Sequence, residues 1–517
     1  MPRHDNPPSS ASSLTRRRLL QASSTLPFWS LDAFAQAAGG TGVLRIAAPH
    51  NPSTLDPMTG RSGPDHAYLY ALFDTLVEWD YVALTPLPGL AESWTYTDPN
   101  TLVLKLRSGV KFHDGEPFDA EAVKANLDWG RGNEKSSVKI DLASIDSIEV
   151  RGPLEVALKL KTSDRALPLI LSDRAGMMRS PKAVREKGAD HDRSPVGSGA
   201  YKFVSWADKD QVVMTRNPDY WKPGMAKLEG IVFKVIPEPQ TALRSVIAGD
   251  NDFTYYVPPQ QRPVAERSGK MVIDVGPSLQ IGMLYFNYAR GPLKDLKVRQ
   301  AVNLAIDRPT YMKATAGGLG EVADMALPKP HWAYAPELAG FYKYDPEKAK
   351  ALLKEAGLAD GVEIHLIAWN DQLSVQRTEV LIEMLKKANI RLKVTTGSGV
   401  DTAGQFFGKQ EGDMHLSAWT GRPDPSLTYE LLFAEGSFFN AGRGATPGMA
   451  DALAAAKTGT TLDERKKAFV KVQRLAVENA LSGPLMFDVQ MVVHSNRVKG
   501  YRPNLIGKPK LLGVSLA

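Results

Sequence analysis

Two tryptophan-ended segments carry the chemistry most readily recognised in this chain. One reads Trp369-Asn370-Asp371; the other reads Trp419-Thr420-Gly421-Arg422-Pro423-Asp424-Pro425. An indole offers a flat apolar wall with a single hydrogen-bond donor, and a guanidinium offers a planar fork that fits a carboxylate or a phosphate. Asp424 carries the opposite sign and suits an ammonium, a pairing with Arg422, or the start of the following turn. The opposing interpretation makes both tryptophans core plugs and Arg422 an exposed loop charge, but the loop taken as a group favours ligand contact. Tyr255-Tyr256 form a second aromatic candidate, equally suited to packing. Asn287, after Leu284-Tyr285-Phe286, reads as a residue that satisfies backbone groups at a strand end.

Binding is favoured over cleavage by what the chain lacks. It has no G-x-S-x-G elbow, no P-loop and no G-x-G-x-x-G turn. Its nine histidines are dispersed, with no two spaced three or four apart, so no helix face is set up to hold a metal. The absence of cysteine removes thiol nucleophiles, Cys-ligated zinc and lipid attachment through an N-terminal Cys. With 63 Lys+Arg against 57 Asp+Glu and no long run of one sign, nucleic acid is a poor partner.

At 517 residues the chain has room for roughly three packed units. Alternating apolar residues predict strands at 43–48, 102–106, 231–235 and 279–288, and hairpins at 145–161 and 201–215. A helix is expected around Tyr68–Trp79, and another after Asp119 as N-cap. Asp345-Pro346 reads as N-cap and first helical residue of a third, ended by Gly357. The best-defined unit is a strand with Val362, Ile364, Leu366 and Ala368, a helix over 374–388, and a strand with Ile390, Leu392 and Val394. That is a βαβ crossover, which requires parallel pairing. If the strand Met414–Trp419 joins the same sheet, both tryptophan tips open on one crevice, the place where open α/β sheets bind ligands. Thr461-Leu462-Asp463-Glu464 has capping-box spacing. The fold class is α/β.

The first 37 residues read as an address. Arg16-Arg17-Arg18 precede a short apolar stretch, Leu26–Leu31, and a small-residue ending, Ala33-Phe34-Ala35-Gln36-Ala37. This order is that of an export signal, and the consecutive arginines, Arg16 and Arg17, resemble the twin-arginine route. Cleavage is expected after Ala35 or Ala37. Removing residues 1–35 takes away four Lys/Arg and two Asp/Glu and leaves an excess of four positive charges.

Several short motifs in order give a resemblance over nearly all of residues 42–505. They are Leu55-Asp56-Pro57, Leu90-Ala91-Glu92-Ser93-Trp94 and Leu106-Arg107-Ser108-Gly109-Val110-Lys111-Phe112-His113-Asp114-Gly115. They continue as Pro195-Val196-Gly197-Ser198-Gly199-Ala200-Tyr201, Arg216-Asn217-Pro218-Asp219-Tyr220-Trp221 and Val298-Arg299-Gln300-Ala301. In these the chain resembles the extracytoplasmic solute-binding proteins of dipeptide, oligopeptide and nickel ABC importers. The resemblance implies a periplasmic-binding-protein-like two-lobe fold, with an additional α/β domain inserted in the first lobe. Lobe one would combine 42–60, 195–277 and 491–517; the insertion would be 61–194 and lobe two 278–490. It also implies no catalysis and no cofactor, a small-molecule solute and an inner-membrane ABC permease as partners, and a monomer in the periplasm. With no cysteine to lipidate, the protein would be free of the membrane. Peptide-binding relatives place an aspartate three residues after the loop tryptophan, against the peptide's α-amino group; here that position is Arg422. The expected solute is therefore peptide-like or opine-like, with a carboxylate at Arg422. The alternative is that Asp424 takes the aspartate's role and Arg422 turns outward. Two further expectations compete with this one: a metal-chelate or haem binder of the same fold, and, from another class, a secreted hydrolase.

Overall fold

The computed structural model describes residues 42–60 and 62–517, apart from the Val400 side chain. The export signal with Arg16 and Arg17 lies outside the described residues. Three main sheets organise the rest. A seven-stranded sheet runs, edge to edge, Met271–Gly276, Gln490–Ser495, Phe253–Tyr255, Val43–Ala48, Gly230–Val235, Gln211–Arg216 and Tyr201–Ala207. A six-stranded sheet runs Glu321–Val322, Ser482–Phe487, Ile281–Phe286, Met414–Trp419, Val362–Trp369 and Ile390–Gly397. A four-stranded antiparallel sheet, Ala91–Asp98, Thr101–Leu106, Glu155–Leu160 and Ile145–Gly152, carries the helix Ala120–Gly132 on one face.

The expected βαβ crossover is present. Val362–Trp369 pairs in parallel with Ile390–Gly397 through the helix Gln372–Lys386. Met414–Trp419 also runs parallel to Val362–Trp369, so both tryptophan tips lie at the same edge of the sheet. Burial on both faces explains why the central strand Ile281–Phe286 is apolar throughout: Leu284 and Phe286 pack into one core, Met283 and Tyr285 into another. Asp119, Asp345 and Thr461 cap their helices as expected, the last with Glu464 in a complete capping box. One element differs. The helix expected over Tyr68–Trp79 ends at Leu72, and Val77–Trp79 is a strand paired with Pro86–Pro88. Phe73 turns extended, and its neighbour Asp74 accepts from Tyr220 and Trp221, which holds the chain out of the helix.

The family-like motifs are joints between these layers. Asp56 receives Arg179 at 2.9 Å and His191 at 2.7 Å, and accepts the Met58 backbone N–H. His113 bonds the Gly197 N–H and, through Nε2, the Gly199 carbonyl, so two motifs clasp each other. A Cβ on Gly199 would stand 2.5 Å from the Leu72 carbonyl carbon, which is why that motif needs glycine there. Arg299 donates to the carbonyls of Leu293, Lys294, Asn479 and Ala480, tying two helix ends together. The chain passes between the seven- and six-stranded sheets twice, after Gly276 and after Phe487. The two crossings bond each other through Asp488 N–H to the Gln280 carbonyl at 2.9 Å and Gln280 Nε2 to Asp488 Oδ2 at 3.0 Å.

Candidate functional site

A cavity of about 740 Å³ opens between the layers and collects side chains from five separate stretches of chain. Thr420, Arg422, Pro423 and Asp424 approach it from the loop after Met414–Trp419, with Leu427, Leu431 and Phe439 behind them. Gly60, Gly63, Pro64 and His66 face them from the N-terminal stretch. Residues 134 and 136–141 and the pair Asp173-Arg174 close two further walls, and Lys508 enters from the C-terminal segment. The volume lies within the range that encloses a small organic solute.

The charges in this cavity are not equivalent. Arg174 is tied down, donating to the Gly60 and Ser62 carbonyls and facing Asp65 at 3.4 Å. Asp424 is fully buried: its Oδ1 accepts from Ser426 N–H as a helix N-cap and from Arg465 at 2.8 Å. Among the described residues its Oδ2 has no hydrogen-bond partner, and it is enclosed. His66 Nε2 lies 2.6 Å from Asp173, and Lys508 Nζ lies 3.3 Å from His66 Nδ1. The same Nδ1 lies 2.9 Å from the Gly63 carbonyl, so both ring nitrogens are engaged within the protein. Burial and the charge of Lys508 pull His66 down to about 4, so the ring is neutral at neutral pH. Burial alone would raise Asp173, but His66, Lys508 and Arg422 hold it well below the usual carboxylate range.

Three groups are left for a solute. Arg422 makes no hydrogen bond or ion pair among the described residues, although it bears electrostatically on Asp141, Asp173 and Lys508. Lys508 is pulled down to about 8 by burial, with Arg422 and Arg174 opposing its charge and Asp173 favouring it. Asp141 is pushed up to about 6 by burial, against the pull of Arg422. The site thus offers two cations and one carboxylate inside a walled space. Among the described residues no three His, Asp or Glu side chains gather to hold a metal ion.

The family model for bacterial extracellular solute-binding proteins, family 5, matches residues 85–440. The chain belongs to this family. The glutathione-binding protein GsiB of Salmonella paratyphi A is 28% identical over 470 residues, covering 88% of this chain and 91% of the relative. Among solved structures, NikA from Brucella suis in complex with Fe(III)-EDTA superposes with a TM-score of 0.81 at 25% identity, over 92% of this chain and 100% of that one. CtaP, an ABC transporter substrate-binding protein from Listeria monocytogenes, gives a TM-score of 0.84 at 20% identity, over 92% of this chain and 99% of that one. The two-lobe fold and the solute-binding role expected from the sequence are those of the family.

In this solute-binding protein the residues singled out from sequence fall into different places. Thr420, Arg422 and Asp424 line the cavity, Trp419 and Gly421 do not, and Trp419 belongs to a buried core cluster. Trp419 packs against Phe439 and donates to Thr428, so it acts as a wall support. Gly421 has φ +68, and a Cβ there would meet Leu279 at 2.5 Å. Trp369 and Asn370 sit at the same sheet edge but outside the cavity lining, with Asn370 exposed. Tyr255 is buried in the core of the seven-stranded sheet. Tyr256, at φ +57, packs against it and against His50. Asn287 bonds backbone at Ala289 and Gln410, as its strand-end position suggested. Sequence reading missed Lys508, His66, Asp173 and Asp141. None lies in a recognisable motif, and only the folding of distant segments brings them together.

Proposed function

We propose that this chain is the substrate-binding component of an ABC importer, and that it captures a small peptide-like or opine-like solute whose carboxylate is received by Arg422 with Lys508 beside it. The observation that carries this reading is a cavity of about 740 Å³ with a guanidinium that is unpaired among the described residues on one wall and an ammonium on another. Arg422 and Lys508 come from different lobes, so a carboxylate between them joins the lobes as it binds. The paired crossings at Gln280 and Asp488 supply a hinge, and the closed form is what a permease would recognise. On this reading lobe one combines 42–60, 195–277 and 491–517, the insertion is 61–194 and lobe two is 278–490. The chain performs no catalysis, is exported through the twin-arginine machinery, and acts in the periplasm as a monomer without a lipid anchor.

Mass spectrometry of solute released from natively purified protein tests the reading. A small carboxylate-bearing molecule is expected at near one per chain. Protein that is free of solute, and whose unfolding no peptide, opine or amino-acid derivative shifts, would defeat it; ligand at 100 times Kd should add about 2.7 kcal/mol. The likeness to NikA favours a second reading, an anionic metal chelate held by the same two cations, and a ligand-dependent absorbance band would decide for it.

A further inference from the structure

The carboxylate left open in this cavity is not the one on the tryptophan loop. Asp141 belongs to the stretch that follows the helix Ala120–Gly132, on the wall contributed by the four-stranded domain. It makes no hydrogen bond or ion pair among the described residues. The other acids of the lining are engaged or remote: Asp173 holds His66, Asp424 holds Arg465 and caps its helix, and Glu134 stands exposed at the rim. Arg422, across the cavity, is the leading charged neighbour of Asp141.

We propose that Asp141 receives the ammonium of an amino-acid-derived solute while Arg422 receives its carboxylate, so that the solute lies with its positive end toward the inserted domain and its negative end toward lobe two. This rests on the solute-binding reading above and gives the solute a charge class: one ammonium, with one or two carboxylates. It also gives a reason for Arg422 where peptide-binding relatives have an aspartate. The sign at that position is inverted, and Asp141 restores the missing negative charge from the opposite wall. An ammonium is a compact donor of three hydrogen bonds, and a half-buried carboxylate with no internal partner is a suitable acceptor. The protein keeps Asp141 at a cost: burial without a partner disfavours the ionised form and pushes this carboxyl up to about 6. A residue that weakens the free protein and faces the cavity is what a site tuned for ligand, not for stability, would carry.

The test compares Asp141→Asn with wild type by thermal shift and titration calorimetry. The probes are a panel of Ala-Xaa dipeptides and glutathione, each with its N-acetylated and carboxy-amidated form. For wild type, panel members with both free ends should bind at least about tenfold more tightly than their N-acetylated or amidated forms. In D141N their affinity should fall by about tenfold or more, with N-acetylated forms changed by less than about threefold. Without any probe, D141N should melt at the same or higher temperature than wild type, which separates lost recognition from lost structure. N-acetylated members binding as tightly as free ones, an unchanged affinity in D141N, or loss of discrimination in D424N instead would each overturn the assignment. So would a panel in which nothing binds although released solute is found by mass spectrometry; that result leaves the solute-binding reading standing and removes only the ammonium class. Absence of both panel binding and released solute would remove the two together.

Discussion

Replacing Asp424 by Asn separates support from recognition at the tryptophan loop. The side chain is fully buried, accepts the Ser426 N–H, and faces Arg465, whose own side chain is only 4% exposed. Asn keeps the cap, since it ranks with Asp at that position. It removes the charge and turns an amide donor toward a guanidinium. Breaking one side of a buried ion pair costs about 3–5 kcal/mol. Arg465 retains the Ala456 carbonyl at 2.7 Å, the Arg165 carbonyl at 3.2 Å and the Ser426 hydroxyl at 3.0 Å, which puts the cost near the lower end. At about 2–4 °C per kcal/mol for a unit of lobe size, about 3 kcal/mol lowers Tm by about 6–12 °C. Arg465→Met in the same chain should recover part of that, because a pair removed together costs less than a charge left alone. Differential scanning fluorimetry with a urea midpoint reads both. A D424N protein that melts within about 2 °C of wild type yet binds no solute would refute this reasoning and make Asp424 a ligand contact.

Other predictions follow from the joints and from the cavity. Asp56 is held down to about 2: burial would raise it, but Arg179 and His191 outweigh that. The stability it contributes is present above its unfolded value of about 4 and is lost as pH falls through about 2, some 2 kcal/mol in all. Urea midpoints between pH 5 and 2 should therefore fall less steeply in Asp56→Asn than in wild type, starting from a lower value. Gly199→Ala should cost about 3 kcal/mol in urea unfolding, because its Cβ would meet only backbone, the Leu72 carbonyl carbon at 2.5 Å and the Phe73 nitrogen at 2.7 Å. Lys508 titrates near 8, so it is charged below that pH and neutral above it. Affinity for a carboxylate-bearing solute should thus decline more steeply as pH rises from 7 to 9.5 in wild type than in Lys508→Gln, where only the loss of the solute's own ammonium charge remains, measured by calorimetry in buffers of matched ionic strength.

Local periodicity made the covered sheet legible: Val362, Ile364 and Leu366 alternate, a cap at Asp371 starts the next helix, and parallel pairing is then the remaining connection. The strand Val77–Trp79 was not legible, because the end of its preceding helix is fixed by Tyr220 and Trp221, about 145 residues away. The cavity was half legible. Arg422 stands out by its type and by its place after a strand tip, whereas Lys508 and Asp141 are single charges in unremarkable loops, and only the crossing of the chain between sheets sets them opposite it. Aromatic residues are ambiguous for a related reason: Trp419 and Tyr255 lie buried among core side chains, and residue type alone does not separate that role from ligand contact.

In the proposed function, Arg422 holds the solute's carboxylate in the cavity. The most direct measurement is calorimetric titration of the solute released from native protein into wild type and Arg422→Ala. Arg422→Ala should lose affinity on the order of a hundredfold. An unchanged dissociation constant would contradict it.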